Sequence, residues 1–282
     1  MAGSVTIAQP NAPTVAPGAG LCDHGPTVRP RPEPMASTAS SAPSADSVAR
    51  PRYAVVDLVR GSAVALMFFF HFCYDLTYFG LVRFDFYHDP FWLHLRSLIV
   101  SLFLGVVGVS LHLATRTGLN LRAFLRRLLL IGACAATVSV VTYALFGPRW
   151  VFFGILHFIT VASVLALPGT RLHYANLVLG IALIALPSVY THPLFDHPAL
   201  QWLGLMTHKP PTEDYVPLLP WLGVVLLGIF LGQRLFPRGS SSAPALRPLR
   251  WAGRHSLVLY MLHQPVFMGL LFAATWLYAR LA

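Results

Sequence analysis

Four ionisable side chains lie within one apolar stretch of the sequence, residues 53–79. They are Asp57, Arg60, His71 and Asp75. An α-helix turns by about 100° per residue, and this rotation places all four side chains on one face. Asp75 follows His71 by one turn, so its carboxylate could orient the imidazole, and such a pair can act as a general base or accept an acyl group. We therefore interpret His71 and Asp75 as a candidate reactive pair, with Asp57 and Arg60 at the other end of the same polar track.

The stretch that carries these groups is long enough to cross a bilayer, for which a helix needs about 20 apolar residues. Each ionisable group in a spanning helix costs about 2.5–3.5 kcal/mol on insertion scales. Such groups therefore usually face a protein interior or a water-filled cavity and usually have a function there. The alternative is a set of charges that neutralise one another and have only a structural role. We favour the functional interpretation.

The composition is that of a membrane protein. Of the 282 residues, 56% are hydrophobic and 11% are charged. This balance excludes an ordinary soluble domain and, with several long apolar runs, predicts an all-α, polytopic membrane bundle of about seven transmembrane helices. We expect residues 1–52, rich in Ala, Pro and Ser, to be a disordered tail and residues 53–282 to be embedded in the membrane. The predicted spans are residues 54–80, 92–114, 124–146, 150–168, 173–190, 217–236 and 252–278.

The basic residues predict an orientation. The 20 Lys and Arg exceed the 10 Asp and Glu, and most of them fall in the tail and in the second, fourth and sixth connections. The positive-inside rule then places the N-terminus in the cytoplasm, so that Arg60 lies near the cytoplasmic surface and His71 toward the outer half of its span. Anchoring to membrane lipids explains these charges better than nucleic-acid binding does. The 3 cysteines show no metal-ligand or disulfide spacing, and we expect no metal site.

Other spans contribute further polar candidates. His157 in the fourth span could line a cavity of the bundle, or it could be a hydrogen-bonded interior group. Asp214 precedes the sixth span, where a carboxylate favours the positive end of the helix dipole, and a role in orienting a substrate is the alternative. In the seventh span, Ser256, Tyr260 and His263 share a face and form a second polar stripe that we expect to point into the bundle.

A group of arginines is predicted to form a cationic rim on the cytoplasmic side: Arg126, Arg127, Arg250 and Arg254. Guanidinium groups bind phosphates through paired hydrogen bonds, so this rim could hold a phosphorylated substrate. Anchoring to lipid headgroups is the alternative for each of them.

Four blocks of the sequence resemble a known family. DLVRGSAVALMFFFH, FFGILHFITVAS, DYVPLLPWLGVVLLGIFLG and GRHSLVLYMLHQPV are similar, in this order, to the signature blocks of bacterial members of the heparan-α-glucosaminide N-acetyltransferase catalytic-domain family. The resemblance covers nearly everything except the tail. The first block is also similar to a pattern of the wider membrane acyltransferase superfamily, in which an arginine and a histidine stand where this chain has Arg60 and His71.

The resemblance implies an enzyme of the bacterial inner membrane. It would transfer an acetyl or other acyl group from cytoplasmic acyl-coenzyme A to a sugar, glycan or glycolipid at the periplasmic face. The animal enzymes have asparagine at the position of His71, and their proposed catalytic histidine lies later, with His88 as its nearest counterpart here. The catalytic residue is thus His71 or His88, and we favour His71 for its buried setting and its Asp75 partner. A homo-oligomer is a further expectation.

Two other classes of protein are compatible with the charged track. A secondary transporter could use Asp57, Arg60, His71 and Asp75 as an ion or proton path, but it predicts internal repeats, and the two halves of the chain show no convincing similarity. A binding or scaffold protein explains the buried charges least well. Binding of acyl-coenzyme A would separate an acyltransferase from both.

Overall fold

A computed structural model describes residues 53–236 and 246–281. The predicted tail, residues 1–52, lies outside the described residues. Within them the chain is helical, with short 3₁₀ turns in several connections and an isolated β-bridge between Phe153 and Tyr215. The all-α membrane bundle expected from the sequence is therefore confirmed.

Eight α-helices are numbered here in chain order. They are α1 (Ala54–Tyr78), α2 (Pro90–Thr115), α3 (Leu121–Phe146), α4 (Ile155–Leu165), α5 (Tyr174–Val189), α6 (Leu218–Leu235), α7 (Arg247–Arg254) and α8 (Ser256–Leu281).

Five helices, namely α1, α2, α3, α6 and α8, are long and apolar enough to cross a membrane. The other two predicted spans are shorter, since α4 has 11 residues and α5 has 16. At 1.5 Å per residue, α4 is about 16 Å long, roughly half of the hydrocarbon thickness. It begins later than predicted because the preceding segment is extended and Phe153 pairs there with Tyr215.

The predicted seventh span consists of two helices. The backbone leaves helical geometry at His255, where φ is −104° and ψ is 19°, so α7 ends there and α8 begins at Ser256. The short α7 is rich in arginine, and it packs along the first half of α1. The crossing of α1 and α7 is close because glycines meet there. A Cβ atom added to Gly61 would lie 2.6 Å from the carbonyl carbon of Leu249 and 3.1 Å from the nitrogen of Gly253.

The core lies between α2, α4 and α6. Leu104, Phe158, Val225 and Ile229 are completely buried there. Gly108 lets α2 approach α6 closely, since a Cβ atom at this position would lie 2.8 Å from the nitrogen of Ile229. Burial of apolar side chains in this region fixes α2 and α6, and α1 packs on the outside of α2.

Two of the long helices are mostly exposed. Apolar side chains such as Leu129 and Leu145 on α3, and Leu270 and Phe272 on α8, are more than half exposed. Surfaces of this kind are unfavourable in water and favourable against lipid tails. The exposed faces of α3 and α8 therefore agree with a protein that is embedded in a membrane.

Candidate active site

A buried cluster of polar side chains lies where α8 packs against α1. We call it the dihistidine cluster, and it consists of His71 and Asp75 from α1 with His263 and Gln264 from α8. The two imidazole rings are 4.8 Å apart between centroids and meet edge to face. The side-chain amide of Gln264 donates a hydrogen bond of 3.1 Å to Oδ1 of Asp75. Asp75 is 1% exposed and His263 is 5% exposed, while His71 and Gln264 are half-buried, and each of the four has a polar atom that is closed to solvent.

The predicted pairing of His71 with Asp75 is wrong. Among the described residues, Asp75 bonds to Gln264 and not to His71, and the nearest imidazole to His71 is that of His263. The two α1 side chains do share a face, as the helical period requires. The physical reason for the different pairing is that α8 packs on this face and supplies an amide donor to the carboxylate.

Each member of the dihistidine cluster retains one buried polar atom without a hydrogen-bond partner in the part of the chain that the structure describes. These atoms are His71 Nδ1, Asp75 Oδ2, His263 Nε2 and Gln264 Oε1. Most buried polar atoms in folded proteins are hydrogen-bonded, so four exceptions in one place call for an explanation. Binding of a polar substrate group among them is the explanation that an active site provides.

His263 is the most firmly held member of the cluster. Its Nδ1 lies 2.6 Å from the carbonyl oxygen of Tyr260, one turn earlier on α8. Its ring stacks on Phe68 with centroids 5.6 Å apart and contacts the edge of Phe267 at 6.1 Å. Tyr260 and His263 of the predicted polar stripe therefore face the bundle, and His263 is the residue that meets His71.

Asp214, in the loop before α6, bonds to α4 and to Tyr260 on α8, one turn before His263. Its Oδ2 accepts a hydrogen bond of 3.0 Å from the backbone nitrogen of Ile155 and one of 3.5 Å from the hydroxyl of Tyr260. Burial raises the pKa of the Asp214 carboxyl above its ordinary value, although both hydrogen bonds oppose this shift. The expectation that Asp214 caps α6 is wrong, because the carboxylate lies at the first turn of α4. Gly154 permits this approach, since a Cβ atom there would lie 3.0 Å from the carboxylate carbon.

His157 does not join the dihistidine cluster. One ring nitrogen lies 3.0 Å from the hydroxyl of Ser139 and the other accepts a hydrogen bond of 3.3 Å from the backbone nitrogen of Gly154. The Ser139 hydroxyl in turn donates to the carbonyl of Val151 at 2.7 Å. Both ring nitrogens therefore have partners, and the geometry matches the interior hydrogen-bonded histidine that the sequence left open as an alternative.

His88 lies in the exposed connection between α1 and α2. Its Nδ1 is 3.0 Å from Oδ2 of Asp85, and the two side chains are 85% and 54% exposed. The backbone N–H groups of Tyr87 and His88 lower the pKa of Asp85, and the imidazole adds to this effect. A carboxylate–imidazole pair therefore exists at the exposed His88, while the half-buried His71 has no such pair among the described residues.

The other end of α1 forms a cationic cavity of about 320 Å³, which we call the arginine cavity. Arg60 donates to Asp57 at 3.3 Å and to the hydroxyl of Ser110 on α2 at 2.8 Å. Arg254 on α7 donates to the other oxygen of Asp57, also at 3.3 Å. The two guanidinium groups are thus held side by side by one carboxylate, and Tyr53 completes the polar lining.

The other three predicted rim arginines differ in position, and Arg250 lies on α7 one turn before Arg254. Arg127 on α3 lies close enough to Arg60 for their like charges to interact, and it lines a smaller cavity together with Ser163. The side chain of Arg126 is exposed and lines neither of these cavities. The structure therefore brings Arg60, Arg127 and Arg254 into one region and leaves Arg126 at its margin.

Sequence reasoning missed Gln264 and Ser110 as members of these sites. Gln264 stands directly between His263 and Pro265, and a polar pair before a proline in an apolar helix was the available signal. Ser110 had no such signal, because a serine in a span is usually satisfied by its own backbone. Among the described residues, no group of three His, Cys, Asp or Glu side chains is arranged to hold a metal ion.

Comparison with known families finds a match over the part of the chain that holds both sites. A family model described as heparan-alpha-glucosaminide N-acetyltransferase, catalytic, matches residues 52–265. Comparison with curated proteins and with solved structures gives no match. The matched segment includes the whole arginine cavity and every member of the dihistidine cluster, and it extends over well more than half of the chain. The chain therefore belongs to the heparan-alpha-glucosaminide N-acetyltransferase catalytic family, and it is a membrane-embedded member of this acetyltransferase family.

Proposed function

We propose that the protein transfers an acetyl group from cytoplasmic acetyl-CoA to a sugar, glycan or glycolipid at the periplasmic face of a bacterial inner membrane. The observation that carries this proposal is that one helix, α1, lines both the arginine cavity and the dihistidine cluster. Arg60 and His71 are eleven positions apart, which corresponds to about 16 Å along the helix. The family match favours this function over a secondary transporter that uses the same charges.

The arginine cavity suits the phosphate groups of acyl-coenzyme A. Its volume of about 320 Å³ lies at the lower end of ligand pockets, so it would hold part of the donor and leave the rest to extend toward the cluster. Arg60 and Arg254 present fixed guanidinium groups, and Arg127 adds a third positive charge nearby. Arg126 would contact a bound donor only from outside the cavity.

The dihistidine cluster suits the chemical step. In the overall reaction, an oxygen or nitrogen of the acceptor forms a bond to the thioester carbonyl carbon, the carbon–sulfur bond breaks, and the acceptor proton ends on the thiol of coenzyme A. A buried imidazole can accept that proton or carry the acyl group. We assign one of these roles to His71 rather than to His88, because a site closed to water protects the acyl group from hydrolysis.

Replacement of each candidate histidine tests this assignment. Full-length protein carrying His71→Ala should release coenzyme A thiol from acetyl-CoA about 100-fold more slowly than the unaltered protein, since general-base or nucleophilic catalysis contributes at least this much. The matched variant His88→Ala should keep most of its turnover. Undiminished turnover of His71→Ala would refute the assignment, and loss in His88→Ala alone would transfer the role to His88.

A further inference from the structure

The hydrogen bond between His263 and Tyr260 fixes the tautomer of the His263 ring. A backbone carbonyl oxygen can only accept a hydrogen bond, so the Nδ1 atom that lies 2.6 Å from it must carry a proton. In the neutral imidazole the lone pair is then on Nε2. Nε2 is therefore the atom of His263 that can accept a proton.

The basic Nε2 atom of His263 is buried and has no hydrogen-bond partner within residues 53–236 and 246–281. The ring cannot easily turn away, because Phe68 stacks on one face and Phe267 contacts it edge-on. A base whose tautomer and ring orientation are both fixed has the preorganisation that general-base catalysis requires.

In the part of the chain that the structure describes, the groups around His263 supply no competing partner for Nε2. From α1 it is faced by His71, whose Nδ1 is also free of partners among the described residues, and by Asp75, whose Oδ1 is taken by Gln264. On its own helix, the Tyr260 hydroxyl donates to Asp214 and so points away toward the loop before α6. Within the described residues, His71 has no comparable bond to the backbone that would fix its tautomer.

We propose that His263 is the general base of the transfer reaction, an inference that rests on the function proposed above. With the proton assigned to His263, the role left for His71 is to carry the acyl group: its ring nitrogen bonds to the acyl carbon, the carbon–sulfur bond breaks, and the ring proton of His71 goes to the departing thiolate of coenzyme A. The acceptor atom then bonds to the acyl carbon as Nε2 of His263 takes the acceptor proton. The bond between the acyl group and His71 breaks, and the His71 ring receives that proton from the His263 imidazolium.

A His263→Gln variant separates proton transfer from packing. Glutamine keeps much of the volume and hydrogen-bonding capacity of histidine but cannot accept a proton at neutral pH. With acetyl-CoA as donor and octyl glucosaminide as acceptor, we expect release of coenzyme A thiol to fall about 100-fold, while the Kd for acetyl-CoA stays unchanged. His112→Gln on α2 is the matched control, since it removes another partly buried imidazole whose Nδ1 lacks a partner among the described residues.

A second variant, His263→Ala, tests the chemistry directly. Added imidazole should restore part of its thiol release and should have no effect on the unaltered protein. Turnover of His263→Gln within about threefold of the unaltered protein would overturn the proposal, as would a His263→Ala protein that binds acetyl-CoA normally and is not rescued by imidazole. If the unaltered protein released no thiol with any acceptor, water included, the proposed function itself would fail, and this result is distinct from both.

Discussion

Gly61→Ala should open the arginine cavity by separating α7 from α1. The added Cβ atom would lie 2.6 Å from the carbonyl carbon of Leu249, whereas non-bonded carbon atoms normally lie about 3.5–4.0 Å apart. The obstructing atoms belong to the backbone of α7, so no side chain can rotate to relieve the contact. The two helices must therefore move apart by about 1 Å or more.

The size of the effect follows from this displacement. Overpacking of this kind costs about 1–3 kcal/mol. The bond from Arg254 to Asp57 is already 3.3 Å long, and the movement would take it beyond hydrogen-bonding distance. Arg254 would then no longer stand beside Arg60. If half of this cost, about 0.5–1.5 kcal/mol, falls on the donor-bound state, affinity for acetyl-CoA should drop by roughly two- to twelvefold, because about 1.4 kcal/mol is a factor of ten.

Equilibrium binding of acetyl-CoA and thermal unfolding of the Gly61→Ala protein together test this prediction. The control is Gly105→Ala on α2, since a Cβ atom at Gly105 meets no other atom within 4 Å. We expect Gly61→Ala to raise both the Kd and the KM for acetyl-CoA and to lower Tm, while Gly105→Ala changes none of these by much. A Gly61→Ala protein with the Kd and Tm of the unaltered protein would refute the reasoning on α7 and the cavity.

Two further variants test the connections around the dihistidine cluster. Because burial raises the pKa of Asp214, the folded protein binds this proton more tightly than the unfolded chain, and stability should fall as pH rises through the raised pKa. Asp214→Asn should flatten the dependence of Tm on pH, and an unchanged dependence would contradict this. Gln264→Leu should lower stability by about 1–3 kcal/mol, because it leaves the Asp75 carboxylate without its donor. Adding Asp75→Leu should recover Tm but not turnover, and continued loss of Tm would count against the pairing.

Much of the fold was predictable because each long span is marked by its own apolar run. The length of α4 was not predictable from its apolar run. The first residues of the predicted span are apolar but extended, because Phe153 pairs with Tyr215 from another part of the chain. Hydropathy reports that a segment avoids water. It does not report which backbone groups another segment will bind.

The candidate site was predictable on one helix and not between helices. The helical period correctly placed Arg60 and His71 on a common face of α1, and the arginine count drew attention to Arg254. The partner of Asp75 depended on which helix packs against that face, and the period of α1 contains no such information. The same limit explains why Asp214, next to α6 in sequence, caps α4 instead.

Transfer across a membrane is the central claim, and proteoliposomes test it most directly. The full-length protein would be reconstituted with glucosamine trapped inside the vesicles and acetyl-labelled acetyl-CoA added outside. The proposed function predicts that labelled, acetylated glucosamine accumulates in the lumen, and that His71→Ala vesicles accumulate far less. Labelled product that forms only when donor and acceptor are on the same side, or no product with the protein present, would contradict the account.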